Sequence, residues 1–298
     1  MNKARIIISS NSGFCFGVKR ALDIARRALR KRGTIYSFGP IIHNPQVVED
    51  FCTKGLKIIK DIKDIKPKKE LEPKKEFLLI PSHGVSPDVL RKKGISFINT
   101  TCPLVSRVQK IVRDLKEKGY FIIIVGDKKH PEVKGLIGMA GRRSRVVKNK
   151  SQAKRLSLKA KKVALISQTT ATISDFKEVL SEMDKKNFKK LTSFNTVCKN
   201  TIGRQKEAAS IAGRVNGMIV IGGKNSANTS KLAQTCKRIN KNTCHIESKK
   251  DLKIKFLKGK KNIGIATGAS TPPYAIKEVI EKINEAQTYG AKRRKSAG

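Results

Sequence analysis

The chain has 298 residues, 38% of them apolar, which is enough for two or three domains with hydrophobic cores. It has no apolar run of 18 residues and no N-terminal signal segment, so we expect no membrane span and a cytoplasmic protein. The net charge of +43 would suit an anionic partner, but the lysines lie along the whole chain and aromatic residues make up only 5%. We therefore expect no specific nucleic-acid binding.

The first third of the chain places a cysteine between a predicted strand and a predicted helix. The run "RIIIS" is strand-like, Cys15 follows, and apolar residues at helical spacing then continue to a capping glycine, Gly33. Two more strand-like runs, "TIYSF" and "FLLIP", each lead into a polar loop with a histidine, His43 or His83. The lysine-rich stretch 60–76 between them predicts a solvated loop.

The second third repeats this order of elements. Cys102 follows the strand-like "ISFINTT" and opens a helix whose apolar spacing ends at Gly119. The loop after the strand-like "YFIIIV" holds His130 and Glu132, and the loop after "VALIS" holds Thr169.

The last third repeats the order again. Cys198 follows "LTSFNTV", and the helix after it is predicted to end at a capping glycine, Gly217. The loop after "MIVIG" carries Ser226 and Asn228, and the loop after "IGIAT" carries Ser270. Three strand–cysteine–helix passages in equal phase are unlike a chance pattern.

This repeat predicts an α/β fold of three domains with parallel sheets, related by a pseudo-threefold axis around a central iron–sulfur site. Open parallel sheets bind ligands at the carboxyl ends of their strands, where the cysteines and polar loops fall. The predicted domains are 1–93 with Cys15, 94–187 with Cys102 and 188–284 with Cys198, followed by a basic, disordered tail at 285–298.

Three cysteines from distant parts of a reduced chain indicate a metal centre. Structural zinc usually takes four closely spaced ligands, and the chain has no C-x₂-C pair. An iron–sulfur cube normally takes four thiolates, so three would leave one iron open to bind and polarise a substrate oxygen. The alternative is three core cysteines at turns. The remaining cysteines, Cys52, Cys236 and Cys244, lack the pattern and are assigned to packing, and His245 is taken as an ordinary surface or core histidine.

The six polar loops carry donors suited to a phosphate or diphosphate. Ser226 and Asn228 fall at a predicted helix start, although simple N-capping would use the same residues. Three of the chain's four histidines lie in these loops, which favours anion binding. Glu132 follows a His-Pro pair and would be a proton donor in a cationic site, or alternatively a carboxylate that complements a helix dipole.

The chain resembles the LytB-type family of 4-hydroxy-3-methylbut-2-enyl diphosphate reductases. The stretches that carry the resemblance run in family order from residue 13 to about 271. They are "GFCFGVKRA", "IHNPQVVE", "SHGVSP", "TCPLVSRV", "HPEV", "QTT", "CKNTIGRQ", "GGKNSANTSKL" and "GAST". The chain departs from the family pattern at Lys129, where glycine is usual, at Ala227, where a second serine is common, and at the "KN" after Cys198.

The resemblance implies one [4Fe-4S] cluster with three Cys ligands and one open iron, held by Cys15, Cys102 and Cys198. It implies that Glu132 and Thr169 are catalytic and belong to a proton relay. The substrate-binding residues it implies are His43, His83, His130, Thr169, Ser226, Ala227, Asn228 and Ser270. The implied reaction is the two-electron reductive dehydroxylation of (E)-4-hydroxy-3-methylbut-2-enyl diphosphate to isopentenyl and dimethylallyl diphosphate, in the non-mevalonate isoprenoid pathway.

The implied partners are the diphosphate substrate and an external electron donor of the flavodoxin or ferredoxin type, with a monomeric or weakly dimeric protein. Two other functions stay open at this point. Quinolinate synthase also combines three α/β domains with three thiols and an open-iron cluster. A basic RNA-binding protein with structural cysteines would explain the charge, but the sequence has no recognisable RNA-binding module.

Overall fold

The structure is a computed structural model that describes residues 4–32, 34–65, 76–91 and 94–295. The chain divides into two compact units. The terminal unit comprises Met1–Cys15, His43–Pro45 and Lys199–Gly298, and the central unit comprises Phe16–Ile42 and Gln46–Cys198. No helix in the described ranges is long and apolar enough to cross a bilayer.

Strands and helices alternate along the described chain. The strands are Arg5–Ile8 (β1), Ile35–Phe38 (β2), Leu56–Ile59 (β3), Glu76–Ile80 (β4), Ile95–Asn99 (β5), Phe121–Val125 (β6), Ser144–Val147 (β7), Lys162–Ser167 (β8), Lys190–Ser193 (β9), Gly217–Ile221 (β10), Thr243–Ile246 (β11) and Asn262–Thr267 (β12). The helices are Phe16–Arg32 (α1), Pro45–Thr53 (α2), Pro87–Leu90 (α3), Pro103–Glu117 (α4), Pro131–Ala140 (α5), Lys150–Arg155 (α6), Ile173–Asp184 (α7), Lys199–Ala212 (α8), Ala227–Ile239 (α9), Ile254–Leu257 (α10) and Pro273–Lys295 (α11).

In the described residues the strands form three parallel sheets of four strands, which confirms the predicted α/β class. The central unit holds the sheets β5-β4-β2-β3 and β9-β8-β6-β7, and the terminal unit holds β1-β12-β10-β11. Each order begins with the strand that precedes a cysteine, so the three sheets share one topology. The packing of the sheets about a common axis stays a prediction.

The sheets cross the predicted domain boundaries. Strand β5 lies in the range 94–187 but pairs with β4, which lies in the range 1–93. Strand β9 pairs with β8 in the same way, and β1 pairs with β12 from the other end of the chain. The strand before each cysteine therefore belongs to a sheet formed with a strand of another predicted domain, and the chain leaves that sheet only at the cysteine. Parallel pairing joins distant segments, so local sequence patterns do not reveal this membership.

Both faces of the sheets are covered, which explains the uninterrupted apolar strands. In β6, Ile122 and Ile124 pack with helices α4 and α5, whereas Ile123 and Val125 pack with helix α7 on the other face. Successive side chains of a strand point to opposite faces, so a strand buried on both sides is apolar throughout. The carboxyl ends of the strands are thereby left as the polar edge.

Two local predictions need correction, one is confirmed, and others fall outside the described residues. Gly217 does not cap α8, which ends at Ala212, but begins the buried strand β10. The predicted tail from residue 285 is instead helical as far as Lys295, and at its start Ala286 packs against the core and the Gln287 side chain accepts a hydrogen bond from Ala4 N–H. Gly119 ends α4 with φ +74°, as predicted. Gly33, most of the lysine-rich loop and residues 296–298 lie outside the described residues.

Candidate active site

Cys102 and Cys198 are held by the same kind of backbone hydrogen bond. The Cys102 N–H donates to the Ser82 carbonyl over 2.9 Å, and the Cys198 N–H donates to the Thr169 carbonyl over 2.9 Å. Ser82 follows β4 and Thr169 follows β8, so each cysteine is fixed to the loop after the neighbouring strand of its sheet. Each thiol then lies at the start of a helix, where the helix dipole favours negative charge.

The residues just before these two cysteines provide further local anchors. Asn99 Oδ1 accepts from Thr101 N–H over 2.9 Å, and Asn195 Oδ1 accepts from Val197 N–H over 3.2 Å, which makes an Asx turn in each segment. One residue later, the Thr100 hydroxyl donates to the Ile80 carbonyl and the Thr196 hydroxyl donates to the Ser167 carbonyl. The shared sequence Asn-Thr-x-Cys therefore fixes both thiols from within its own sheet.

Glu132 and Thr169 form a buried pair next to Cys198. Glu132 lies in the first turn of α5 and is 2% exposed, and Thr169 is 6% exposed. The Thr169 N–H donates to Glu132 Oε1 and the Thr169 hydroxyl donates to Oε2, both over 2.7 Å. The Thr169 carbonyl accepts from Cys198 N–H, so one residue links the carboxyl group to the cysteine.

Burial raises the pKa of Glu132 to about 7, against the two hydrogen bonds from Thr169 that favour the charged form. A carboxyl group with this pKa is partly protonated near neutral pH and can release a proton when the local charge changes. When Glu132 is protonated, the Thr169 hydroxyl can accept its proton and turn its own hydrogen outward. The pair is thus suited to pass a proton between protein and ligand.

His130 and His83 lie near each other in the central unit. His130 caps helix α5, where its Nδ1 accepts from Glu132 N–H over 3.2 Å. This contact requires the neutral tautomer with the proton on Nε2, which leaves Nε2–H as a donor. The His83 and His130 rings lie 6.4 Å apart at 73°, and His83 is buried. The central unit therefore brings together the predicted residues Cys102, Cys198, Glu132, Thr169, His83 and His130.

The terminal unit carries Cys15 and the remaining predicted residues. The Cys15 N–H donates to the Ala269 carbonyl over 3.0 Å, beside the predicted residue Ser270. The Ser270 hydroxyl donates to the His43 carbonyl over 3.1 Å, and Asn44 Nδ2 donates to the Ser270 carbonyl over 3.0 Å. Burial lowers the pKa of His43, so its ring stays neutral at neutral pH. Asn44 was not predicted, although it follows directly after a predicted histidine.

The start of helix α9 gathers the other predicted residues of this unit. Ser226 is buried and caps the helix by accepting from Thr229 N–H over 3.4 Å, so the capping alternative holds for this residue. Ala227 is half-buried, and Asn228 is buried. Asn228 Nδ2 has no hydrogen-bond partner in the described residues. An unsatisfied buried donor at the start of a long helix is an anion-binding feature, because helix dipole and N–H groups point the same way.

The three cysteines fit the ligands that an iron–sulfur cluster takes. Within the described part of the chain none of the three forms a disulfide bond, all three are half-buried, and each lies between a strand end and a helix start. In the described residues, no group of three or more His, Cys, Asp or Glu side chains is placed to hold a single metal ion. A cluster makes a different demand, since each thiolate binds its own iron.

The remaining cysteines divide between packing and exposure. Cys236 is fully buried in the core beneath α9, and Cys244 is half-buried on β11, as the sequence predicts. Cys52 was wrongly assigned to packing: it is exposed, because α2 turns the adjacent Phe51 into the core instead. His245 is half-buried, and its Nε2 lies 2.8 Å from the Gly222 carbonyl.

A family model described as LytB protein matches residues 6–284 of the chain. A curated relative from Caldanaerobacter subterraneus subsp. tengcongensis, named 4-hydroxy-3-methylbut-2-enyl diphosphate reductase, is 44% identical over 283 residues, covering 93% of this chain and 96% of the relative.

Two solved structures are also similar. One is an (E)-4-hydroxy-3-methyl-but-2-enyl diphosphate reductase, described as the terminal enzyme of the non-mevalonate pathway. It is 38% identical with a TM-score of 0.67, over 95% of this chain and 99% of its own. The other is the E-1-hydroxy-2-methyl-but-2-enyl-4-diphosphate reductase of Plasmodium falciparum, 26% identical with a TM-score of 0.86, over 94% of this chain and 88% of its own.

Proposed function

The chain belongs to the LytB family, and we propose that it reduces (E)-4-hydroxy-3-methylbut-2-enyl diphosphate to isopentenyl and dimethylallyl diphosphate. It is an oxidoreductase of the non-mevalonate isoprenoid pathway. The reaction consumes two electrons and two protons, breaks the bond to the substrate hydroxyl and releases water. The comparisons give no support to a quinolinate synthase or an RNA-binding protein.

Members of this family are iron–sulfur enzymes, and we propose that this chain holds one [4Fe-4S] cluster through Cys15, Cys102 and Cys198. The support is that each cysteine is half-buried, outside any disulfide bond of the described residues, and occupies the same place in one repeated topology. When bound, the cluster would supply the electrons and, at the iron without a protein ligand, a Lewis acid for the hydroxyl group.

The observation that carries the proposal is the buried contact between Glu132 and Thr169. The leaving hydroxyl group needs a proton, and Glu132 is an acid whose pKa of about 7 suits a donor at neutral pH. The Thr169 hydroxyl lies 2.7 Å from Glu132 Oε2 and can pass that proton outward while it receives one from the carboxyl group. Glu132 and Thr169 are therefore the proposed catalytic residues.

The polar loops provide the proposed diphosphate site. The Asn228 side chain, the N–H groups at Ala227 and Asn228, and the dipole of α9 all offer positive charge to an anion. Ser226 and Ser270 would add hydroxyl groups. The histidines His43, His83 and His130 would add ring N–H donors. Since Ala227 has no hydroxyl group, this position can contribute only its backbone N–H.

The finer expectations about partners and location stay proposals. We propose that electrons come from an external flavodoxin- or ferredoxin-type donor and that the protein is a cytoplasmic monomer or weak homodimer. The donor is needed because each turnover consumes two electrons, and the protein must receive two new electrons before the next turnover.

Anaerobic purification with iron and sulfide analysis, EPR spectra and turnover driven by reduced viologen tests this function. We expect about four irons per chain and reduction of the diphosphate substrate. Cys15→Ser, Cys102→Ser and Cys198→Ser should each abolish the EPR signal of the cluster and the turnover of the substrate. Cys52→Ser is the matched control, since this thiol is exposed on α2, and it should behave like the wild type. Full turnover in any of the first three variants would contradict the proposed ligand set.

A further inference from the structure

The segment that leads to Cys15 is built differently from those that lead to the other two cysteines. Three residues before Cys102 and Cys198 stand Asn99 and Asn195, which form local Asx turns. The equivalent position before Cys15 is Ser12, whose hydroxyl oxygen is buried without a hydrogen-bond partner in the described residues. The local anchor of the other two segments is therefore missing here, and some other group must order residues 9–14.

Glu207 of helix α8 is that group. Its carboxylate accepts from the Ser9 hydroxyl over 2.7 Å, from Ser10 N–H over 2.6 Å, and from Asn11 N–H over 3.2 Å. A fourth hydrogen bond, of 2.7 Å, comes from Asn11 Nδ2. Both carboxylate oxygens are used, and every donor belongs to three consecutive residues just before Cys15. Helix α8 begins one residue after Cys198, so Glu207 joins the helix of one cysteine to the segment of another.

The rest of the segment is fastened around this contact. The Gly13 N–H donates to the Thr267 hydroxyl over 2.8 Å, and Arg204 Nη2 donates to the Gly13 carbonyl over 2.7 Å. Arg204 lies one helical turn before Glu207 on α8, so neighbouring side chains bind the two ends of the segment. Among the described residues, however, only Glu207 accepts from the backbone N–H groups of Ser10 and Asn11.

We infer that Glu207 is a positioning residue for Cys15, setting the place of this thiol among the cluster ligands without touching the cluster or the substrate. The inference deepens the proposed function and rests on it for the role of Cys15. Burial would raise the pKa of Glu207, but the hydrogen bonds from Ser9, Asn11 and Ser10 outweigh it and lower the pKa to about 2. The carboxylate therefore stays charged at any working pH, and charged acceptors make the stronger hydrogen bonds.

The test compares Glu207→Gln with Glu182→Gln in the full-length protein. Glu182 is a matched control because it is also a helical carboxylate, here ion-paired with Lys185 at 2.8 Å and Lys150 at 3.8 Å. Among the described residues it makes no hydrogen bond to a segment that leads to a cysteine. Three quantities are measured: the EPR spectrum of the reduced cluster, the rate of iron release to a chelator, and the alkylation rate of each cysteine in iron-free protein by mass spectrometry.

We expect Glu207→Gln to change the EPR spectrum, to speed iron release by about fivefold or more, and to speed alkylation of Cys15 by a similar factor relative to Cys102 and Cys198. Glu207→Asp should restore part of each value. Asn11→Ala, which removes a single donor, provides a milder variant if Glu207→Gln fails to fold. Glu182→Gln should match the wild type in all three quantities even where it lowers the melting temperature.

Wild-type EPR, iron release and Cys15 alkylation in Glu207→Gln would overturn the inference. The same changes in Glu182→Gln would also overturn it, because they would show a general loosening of the protein. A wild-type protein that binds no iron would refute the proposed function instead. The relative alkylation of Cys15 would then still decide whether Glu207 positions this thiol.

Discussion

The central and terminal units hold their own predicted site residues by contacts of very different range. In the central unit, the Asx turns before Cys102 and Cys198 join residues two positions apart, and the threonine anchors span 20 and 29 residues. In the terminal unit, the bonds of Glu207 to Asn11 span 196 residues, and the bond of Thr267 to Gly13 spans 254. The cysteine segments of the central unit are fixed locally, and the cysteine segment of the terminal unit is fixed by residues far away in the sequence.

The difference has a consequence for folding. Closing a long loop costs conformational entropy before the contact is gained, so long-range contacts form late. The anchors of Cys102 and Cys198 can form once their own sheets exist. The anchors of Cys15 require β1 to pair with β12 and α8 to be in place. We therefore expect the terminal unit to be the more sensitive to changes in a single anchoring residue.

The largest expected effect is on chemistry in the central unit, with little effect on its stability. In Glu132→Gln the amide oxygen can accept from Thr169 N–H and the amide nitrogen can donate to the Thr169 hydroxyl, so the contacts survive. The proton donor is lost, and we expect kcat to fall by about 100-fold or more. The measurement is anaerobic turnover beside thermal unfolding. A variant that keeps more than about a tenth of the wild-type kcat would remove Glu132 from its proposed role.

The next largest effect is on the free energy of unfolding, and it is tested by replacing one arginine in each unit. Arg204, which is 4% exposed, donates to the Gly13 carbonyl over 2.7 Å and to the Thr267 carbonyl over 3.3 Å. Arg20 on α1 is half-buried and donates to the Thr101 carbonyl over 3.0 Å. We expect Arg204→Met to lower the free energy of unfolding by about 2 to 3 kcal/mol, and Arg20→Met by about 1 kcal/mol, in urea titrations. Equal losses would mean that both units depend alike on such contacts.

The same contrast explains what the sequence could and could not reveal. Apolar runs were sufficient to predict the strands and the polar loops that follow them, and Gly119 was sufficient to predict the end of α4, since these are local features. Glu207 and Arg204 could not be found this way, because nothing near them in sequence shows that they contact residues 9–13. The membership of β5, β9 and β1 in their sheets also depends on pairing between distant segments. The exposure of Cys52 likewise depends on which face of α2 packs against the core, and neighbouring residues do not show this.

A smaller effect concerns the pH dependence of the proton donor. Activity that requires protonated Glu132 should fall as the pH rises through about 7. Thr169→Val keeps the backbone N–H but removes a hydroxyl group that favours the charged carboxylate, so the pKa of Glu132 should rise further. The fall in kcat should then move to higher pH, at a rate reduced by about tenfold or more.

Thr196→Val is the control for this pH profile. Its hydroxyl group donates to the Ser167 carbonyl, also in the central unit. Removal of this hydroxyl group should leave unchanged the pH at which kcat falls. A profile that stays in place in Thr169→Val, or that moves equally in both variants, would show that the Thr169 hydroxyl does not act on Glu132.

The smallest expected effect tests whether the local anchors of the central unit support one another. Asn195→Ala and Asn99→Ala each remove one Asx hydrogen bond and leave the threonine anchor and the cysteine N–H contact intact. We expect each to lower the free energy of unfolding by about 1 kcal/mol, and to speed alkylation of only the adjacent cysteine, by less than about fivefold. Two anchors remain for each of these thiols, whereas Glu207→Gln replaces one of the two oxygens that accept from residues 9–11 with a donor and removes the negative charge. If Asn195→Ala exposed Cys198 as strongly as Glu207→Gln exposes Cys15, local and distant anchors would be equivalent, and range would not distinguish the units.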